Sequence, residues 1–355
     1  MTNSVMEIKR LGDVRFIASC GSQKIPEKIE KIRVHEKNFF AIIFHNFPPI
    51  LYIFGKPTGD VCELIDTIDL GSPITDFAWS PLTHHSLLAV VTERGDALVY
   101  DFSSLTVSGP TIQNIEFHRF VNPNFSQIEF SKDGSMIAIV SNTQLIIVEK
   151  KNFVWKQTKP VLNFTTSSTD YITSIAIHPE ECAVAMCSTT QKGVILVGIP
   201  GYKLDVQETL RKNEENDFHL NSNILNIIPL EPDRGVPIAC VWSPYGEILA
   251  VATSDNLLSI WNVSDRSFDT FGLDENNIVI REIFFYSDSV LIVSTSDETK
   301  FFCVNVDDGV IFETEETRRR DGEDNNKCRS GGFLSGQIMY KPRKNNLISR
   351  FQLKV

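Results

Sequence analysis

Three guanidinium side chains in a row, Arg318, Arg319 and Arg320, are the residues of this chain best suited to hold an anion. An arginine fork meets phosphate or carboxylate oxygens through two parallel hydrogen bonds. They stand in the run ETEETRRRDGED, Glu313 to Asp324. There Glu313, Glu315, Glu316, Asp321, Glu323 and Asp324 would repel a phosphate, so the run reads first as a salt-bridged surface loop spanning about 313–330. The pair His84-His85 could ligate a metal, but it sits in a turn between two strand candidates and reads as solvated. The seven cysteines, at 20, 62, 182, 187, 240, 303 and 328, lack the close paired spacing of a zinc or redox site. Cys182 and Cys187 are nearest, flanking AVAM. Their odd separation places them on opposite faces of a straight strand, as small buried hydrophobes. No nucleophile with a base, no paired carboxylates and no glycine-rich phosphate loop stands out. The sequence therefore predicts no enzyme, no cofactor and no metal.

Two other stretches offer surfaces. The segment FHRFVNPNF places Phe117, Phe120 and Phe125 between repeats, which makes these aromatics candidates for partner contact. The tail is basic, with Lys341, Arg343, Lys344, Arg350 and Lys354 and no acidic residue after Asp324. Overall the balance is acidic: 34 Lys and Arg against 45 Asp and Glu give a net charge of −11. That argues against a direct nucleic-acid binder, which needs clustered cations to displace counterions. No apolar run reaches the roughly 18–20 residues that cross a bilayer. The N-terminal residues are charged without an apolar core of signal type, so the expected location is inside the cell, nucleus or cytoplasm.

These residues are held by a repeat. FAWSPLTHHSLLAVVTERGDALVYDF from Phe77 and CVWSPYGEILAVATSDNLLSIWNV from Cys240 follow one plan of strand, turn, strand, turn, strand, and weaker copies begin at Ile32, Ile128, Ile175 and Ile283. Anchoring each on the last apolar residue of its first strand gives Val34, Trp79, Phe130, Ile177, Trp242 and Phe285, at intervals of 45, 51, 47, 65 and 43. All but one lie near the ~40–45 residues, plus loop, of a four-stranded propeller blade. The interval of 65 contains a polar stretch at about 203–223, read as a solvated insertion between two blades. The second strands (LLAVV, MIAIV, AVAMC, ILAVA, VLIVS) are continuous apolar runs, as expected of strands covered on both faces. Trp79 and Trp242 occupy matching positions and are assigned to the core. Strand candidates at Val14–Cys20, Gln337–Tyr340 and Leu347–Leu353 can pair first with last, making a composite seventh blade that removes two open sheet edges.

The Trp79-Ser80-Pro81 and Trp242-Ser243-Pro244 blade starts, the small-residue second strands and the Tyr100-Asp101 and Trp261-Asn262 endings resemble the WD-repeat β-propeller family, over about 30–305. The copies depart from it in lacking a preceding Gly-His and, except at Asp101, the acidic ending. The expected fold is all-β, a single seven-bladed WD-repeat-like propeller domain over 1–355 whose last blade is closed by N- and C-terminal strands. The resemblance implies a non-catalytic protein-protein interaction scaffold, a subunit of a larger multiprotein complex whose partners are other protein subunits. The alternative is a phosphoinositide-binding propeller of the autophagy type recruited to membranes. Such propellers carry an Arg-Arg pair followed by Gly in a late blade; here Asp321 intervenes before Gly322.

Overall fold

The computed structural model describes residues 7–17, 29–35, 39–44, 50–55, 58, 61–81, 86–106, 109–115, 124–141, 144–152, 154–163, 172–189, 193–202, 207, 210, 224–230, 235–273, 279–295, 300–307, 309, 311–315, 332–334, 338–343 and 347–354. Over these residues the chain is all-β, apart from helical geometry at Gln207 and Leu210. After β1 (Glu7–Ile17) come β2 (Ile29–Val34), β3 (Phe40–Phe44), β4 (Leu51–Phe54) and β5 (Val61–Ile68). Next are β6 (Ile74–Trp79), β7 (Leu87–Thr92), β8 (Ala97–Thr106) and β9 (Gly109–Asn114), then β10 (Phe125–Phe130), β11 (Met136–Ser141), β12 (Gln144–Lys151) and β13 (Val154–Asn163). They are followed by β14 (Ile172–Ile177), β15 (Ala183–Ser188), β16 (Gly193–Gly198) and β17 (Ile224–Pro229). Then come β18 (Pro237–Trp242), β19 (Ile248–Thr253), β20 (Leu257–Asn262) and β21 (Phe268–Gly272). The last are β22 (Ile280–Phe285), β23 (Val290–Thr295), β24 (Lys300–Asn305), β25 (Ile311–Glu315), β26 (Gly332–Leu334), β27 (Ile338–Arg343) and β28 (Leu347–Lys354).

Five antiparallel sheets take four strands each in chain order: β6–β9, β10–β13, β14–β17, β18–β21 and β22–β25. A sixth sheet has eight strands, in the order β2-β3-β4-β5-β1-β28-β27-β26. All six anchor residues, Val34, Trp79, Phe130, Ile177, Trp242 and Phe285, are the last residue of a first strand. The chain divides into two compact units, one of Met1–Ser72 with Glu275–Val355 and one of Pro73–Asp274.

In the first unit, β1 pairs antiparallel with β28 from Glu7↔Lys354 to Arg15↔Leu347. The other edge of β1 runs parallel to β5 over three residues, from Arg15↔Val61 to Ile17↔Glu63. First and last strands thus cover each other's edges, as the sequence predicts, although β1 begins earlier than the Val14–Cys20 candidate, whose last three residues lie outside the described residues. The pairing with β5 is new. Glu313–Glu315 belong to β25 and pair with β24, so the first three residues of the expected charged loop are in a strand; 316–330 lie outside the described residues.

The second unit shows why the second strands are so apolar. Alternate residues of β15 serve two different cores. Ala183, Ala185 and Cys187 pack with Trp242, Leu249, Val251 and Trp261 of the next sheet, while Val184 and Met186 pack with Ala138, Val140, Leu145 and Ile147 of the preceding one. Strands buried on both faces need no polar alternation. Cys182 and Cys187 do not lie on opposite faces: both line the same cluster, because Cys182 precedes the strand and escapes its alternation. The polar insertion is also placed differently. It falls between β16 and β17, which pair with each other, so it interrupts one sheet rather than separating two. Within it Gln207 and Leu210 are buried; Gln207 Nε2 donates to Cys182 O at 2.7 Å and Ile199 O at 2.8 Å.

Every first strand carries a β-bulge at the same place, between Ile29/Lys31, Ile74/Asp76, Phe125/Gln127, Ile172/Ser174, Pro237/Ala239 and Ile280/Glu282. A bulge leaves one residue out of the ladder. In two copies a hydroxyl on that residue donates to the second strand, Thr75 to Val91 O at 3.2 Å and Ser126 to Val140 O at 3.4 Å, while in a third Thr173 lies 3.4 Å from Cys187 O but donates at 2.7 Å to Pro237 O on the next sheet. First strands are edge strands, so their outward N–H groups lack ladder partners, and the residue after the bulge on the preceding sheet supplies one. Asp76 Oδ2 accepts the Ile128 N–H at 3.0 Å, and Ser174 Oγ accepts the Cys240 N–H at 3.2 Å. Asp76 is 3% exposed and its Oδ1 also accepts the Phe77 N–H at 2.8 Å. Asp76→Ala is expected to cost about 2–3 kcal/mol by stranding two buried donors, and Asp76→Asn less because one acceptor survives. Urea unfolding midpoints of the two variants check the order.

Candidate functional site

Three turns of the second unit, those linking β10 to β11, β14 to β15 and β18 to β19, are built alike. The residue after each anchor closes the hairpin: Ser131 N–H donates to Met136 O, His178 N–H to Ala183 O and Ser243 N–H to Ile248 O, at 2.8–2.9 Å. Three residues on, Gly134, Glu181 and Gly246 donate back to Ser131 O, His178 O and Ser243 O. All three adopt positive φ, of 67°, 57° and 78°. Glycine takes that conformation freely, and glutamate at a cost.

The turns are brought together by side chains. Lys132 Nζ donates to Pro244 O at 2.9 Å and lies 5.8 Å from the centre of the Tyr245 ring, with Tyr245 itself 69% exposed. Asp133 N–H donates to Glu181 Oε1 at 3.4 Å. Asp133 Oδ1 accepts the Ser131 hydroxyl at 2.8 Å and the Ser135 N–H at 2.7 Å. Tyr202, just past β16, donates its hydroxyl to Glu149 Oε1 on β12 at 2.9 Å, and Glu149 Oε2 pairs with Lys151. The result is a surface holding an exposed aromatic, two cations and three carboxyl groups. Burial pushes the Tyr202 hydroxyl up to about 12, with the bond to Glu149 adding to it.

Beneath that surface is His178. Its Nδ1 accepts the Glu180 N–H at 3.1 Å, so the ring proton sits on Nε2 and is donated to Gly246 O at 3.2 Å. Burial lowers the His178 pKa, which keeps the ring neutral. Cys182 Sγ lies 3.4 Å from Nδ1, the beginnings of a thiol–imidazole couple. Both groups are sealed from solvent, at 0% and 3% exposure, and an imidazole whose burial disfavours the cation does not stabilise a thiolate. The contact is structural. Burial likewise raises the Cys187 thiol, with its bond to Cys240 adding to the effect, and carries Cys303 to about 12. Among the described residues no group of three or more His, Cys, Asp or Glu is disposed to hold a metal ion.

Of the residues singled out from the sequence, Phe125 is not a surface contact. It opens β10, is fully buried and packs with Ile128, Ile137 and Ile139. It occupies the repeat position of Ile74, Ile172 and Ile280, so it belongs to the strand and not to the loop before it. Phe117, Phe120, Arg318, Arg319, Arg320, His84 and His85 lie outside the described residues. Trp242 is core as expected, 5% exposed and packed between two sheets, and Trp79 is buried against Phe102.

Sequence reasoning missed Lys132, Asp133, Glu181, Tyr202 and Tyr245. A signal was present: aligned on their anchors, Gly134 and Gly246 face Glu181, a glutamate where two copies place glycine. No helix among the described residues is long and apolar enough to cross a membrane. No family model matches this chain, and no curated protein matches it.

Proposed function

We propose that this chain is a seven-bladed propeller of the WD-repeat type and a non-catalytic scaffold, a subunit of an intracellular multiprotein assembly that binds protein partners on its β10–β11, β14–β15 and β18–β19 turns. The blade count is supported by the five four-stranded sheets together with two antiparallel runs of four, β2–β5 and β26-β27-β28-β1, inside the eight-stranded sheet. The docking assignment rests on one observation: three like-built turns converge, tied by the Lys132 and Asp133 bonds, beneath an exposed Tyr245. Tyrosine combines large contact area with few rotatable bonds, and a turn already braced by hydrogen bonds loses little freedom when a partner docks. The seven-copy ring, the placement in nucleus or cytoplasm and the lack of catalysis are part of the same reading.

Affinity purification of the full-length protein at moderate salt tests it. A protein partner near stoichiometric ratio is the expected result. A lone monomer that instead sediments with phosphoinositide vesicles, and loses that binding on changing Arg318, Arg319 and Arg320 to alanine, would replace the scaffold with the membrane-recruited propeller.

A further inference from the structure

The sheet edges of the second unit are unequally guarded. An edge strand presents a row of N–H and C=O groups that another chain can pair with, and a bulge or a proline blunts it. In the four sheets of this unit the edges β6, β10, β14 and β18 all carry a bulge. At the opposite edges the register of β9, β13 and β17 also slips against the neighbouring strand, and β9 and β13 contain Pro110 and Pro160. β21 is the exception. Its five residues pair with β20 without a shift, from Trp261↔Phe268 to Leu257↔Gly272. They include no proline, and no described strand pairs with their other edge. β25 of the first unit is also unshifted, but it carries Glu313 and Glu315, charges of the kind that keep an edge apart.

The ladder decides which groups that edge offers. Asn262 N–H donates to Ser267 O at 3.1 Å, and Leu273 N–H donates to Asn256 O at 3.2 Å. Residues of an antiparallel strand alternate between bonding their partner and turning away from it, so Asp269 and Phe271 bond β20 while Phe268, Thr270 and Gly272 turn their N–H and C=O outward. All but Phe271 of the five residues are exposed, Phe268 at 38%.

We propose that β21 pairs with the β21 of a second copy of this chain, antiparallel and centred on Thr270, joining two sheets across a two-fold axis. That register sets Thr270 opposite itself and Phe268 opposite Gly272, and each pair exchanges two hydrogen bonds through the outward groups. The side chains match as well as the backbone. Thr270 against Thr270 is a favourable cross-strand pair, and the Phe268 ring lies over a residue that has no side chain of its own. Asp269 falls opposite Phe271, so no carboxylate directly faces its copy. A strand of another protein would find the same backbone groups but not this self-match. The two Asp269 carboxylates are diagonal neighbours and each chain carries a net charge of −11, so added salt strengthens the pairing. One short strand per copy makes a small interface, of the class that dissociates readily. The edge is independent of the docking turns, and its pairing would stand if no partner bound them.

Sedimentation equilibrium of the full chain at about 0.5 M salt, over about 5–500 μM, is expected to show a monomer in exchange with a dimer. Thr270→Pro removes the central outward N–H from each copy at a position where an edge strand tolerates proline, and is expected to raise the dissociation constant about ten- to hundredfold. Thr270→Lys sets like charges face to face and decides the matter if the proline variant does not fold. Thr270→Cys tests the register: opposed residues that exchange bonds hold their Cα atoms about 5.5 Å apart, within disulfide range. Under oxidising conditions it is expected to give cross-linked dimer above the parent chain's background, and Asp269→Cys, opposite Phe271, much less. A monomer across the whole range, or a dimer indifferent to both Thr270→Pro and Thr270→Lys, would overturn the proposal, as would equal cross-linking at 269 and 270. So would β21 amides that exchange freely in the isolated chain and gain protection only in a co-purified complex, which would give the edge to a partner's strand.

Discussion

Gly246→Ala is expected to destabilise the protein far more than Gly201→Ala, although both glycines have positive φ, 78° and 87°. A Cβ on Gly201 would meet nothing within 4 Å, whereas one on Gly246 would lie 2.3 Å from His178 Nε2 and 2.5 Å from its Cε1. The imidazole cannot simply swing away: Nδ1 accepts the Glu180 N–H, Nε2 donates to Gly246 O, and the ring packs edge-on against Trp242 with centroids 4.8 Å apart. Left-handed backbone alone accounts for about 1–2 kcal/mol in each variant. Overpacking in a sealed site adds about 1–3 kcal/mol for Gly246 only. The predicted loss is therefore about 2–5 kcal/mol at Gly246 and about 1–2 kcal/mol at Gly201, read as the difference in urea midpoint. Equal losses would mean that His178 is not fixed in the position described.

Trp242→Ala is expected to cost about 3–5 kcal/mol, the range for truncating a large buried aromatic. Its ring fills the space between the β14–β17 and β18–β21 sheets, touching the cluster of Ala176, Cys182, Ala185 and Leu249. It stands edge-on to Trp261 at 6.4 Å, and its indole N–H donates to Ala176 O on the neighbouring sheet at 3.2 Å. Trp242→Phe keeps much of the packing and loses the hydrogen bond, so a smaller loss of about 1–2 kcal/mol is predicted, mainly the unsatisfied Ala176 carbonyl. Because His178 contacts both residue 242 and residue 246, the two substitutions should not add. With Trp242 removed, the imidazole has room to retreat, and Gly246→Ala should cost measurably less in that background. Additive losses would show that the two sites are independent.

What the sequence made legible was whatever recurs in apolar residues. The six anchors, the buried second strands and the core positions of Trp79 and Trp242 all follow from hydrophobic pattern, and the pairing of β1 with β28 follows from the cost of bare edges. What it hid was carried by polar atoms or by exposed strands. β21 has no place in the three-strand plan read for its copy, because Phe268, Asp269, Thr270 and Gly272 are exposed and only Phe271 is partly covered, leaving no burial signal for its pairing with β20. The bulge is a backbone event with no fixed residue type, filled by Thr75, Ser126 and Thr173 in three copies but by Ile238 and Arg281 in others. Phe125 was misplaced because the polar VNPN before it obscures where β10 begins. The insertion was set between sheets because the short strand after it, ILNIIP, was not recognised as a fourth strand. The turn surface was the least legible, since its side chains come from three copies and converge only once the sheets are stacked.

The central claim is that these turns are a docking face, and the most direct test is the co-purification repeated with Lys132→Glu combined with Tyr245→Ala. Both side chains are exposed, so losing the Lys132 bond to Pro244 O and its contact with the Tyr245 ring should lower stability by no more than about 1 kcal/mol and leave the protein folded. The account predicts that its principal partner is lost from the purified complex, while Phe268→Ala on the exposed edge strand β21 retains it. A full complement of partner on the folded double variant would contradict the claim and move the interface elsewhere on the protein.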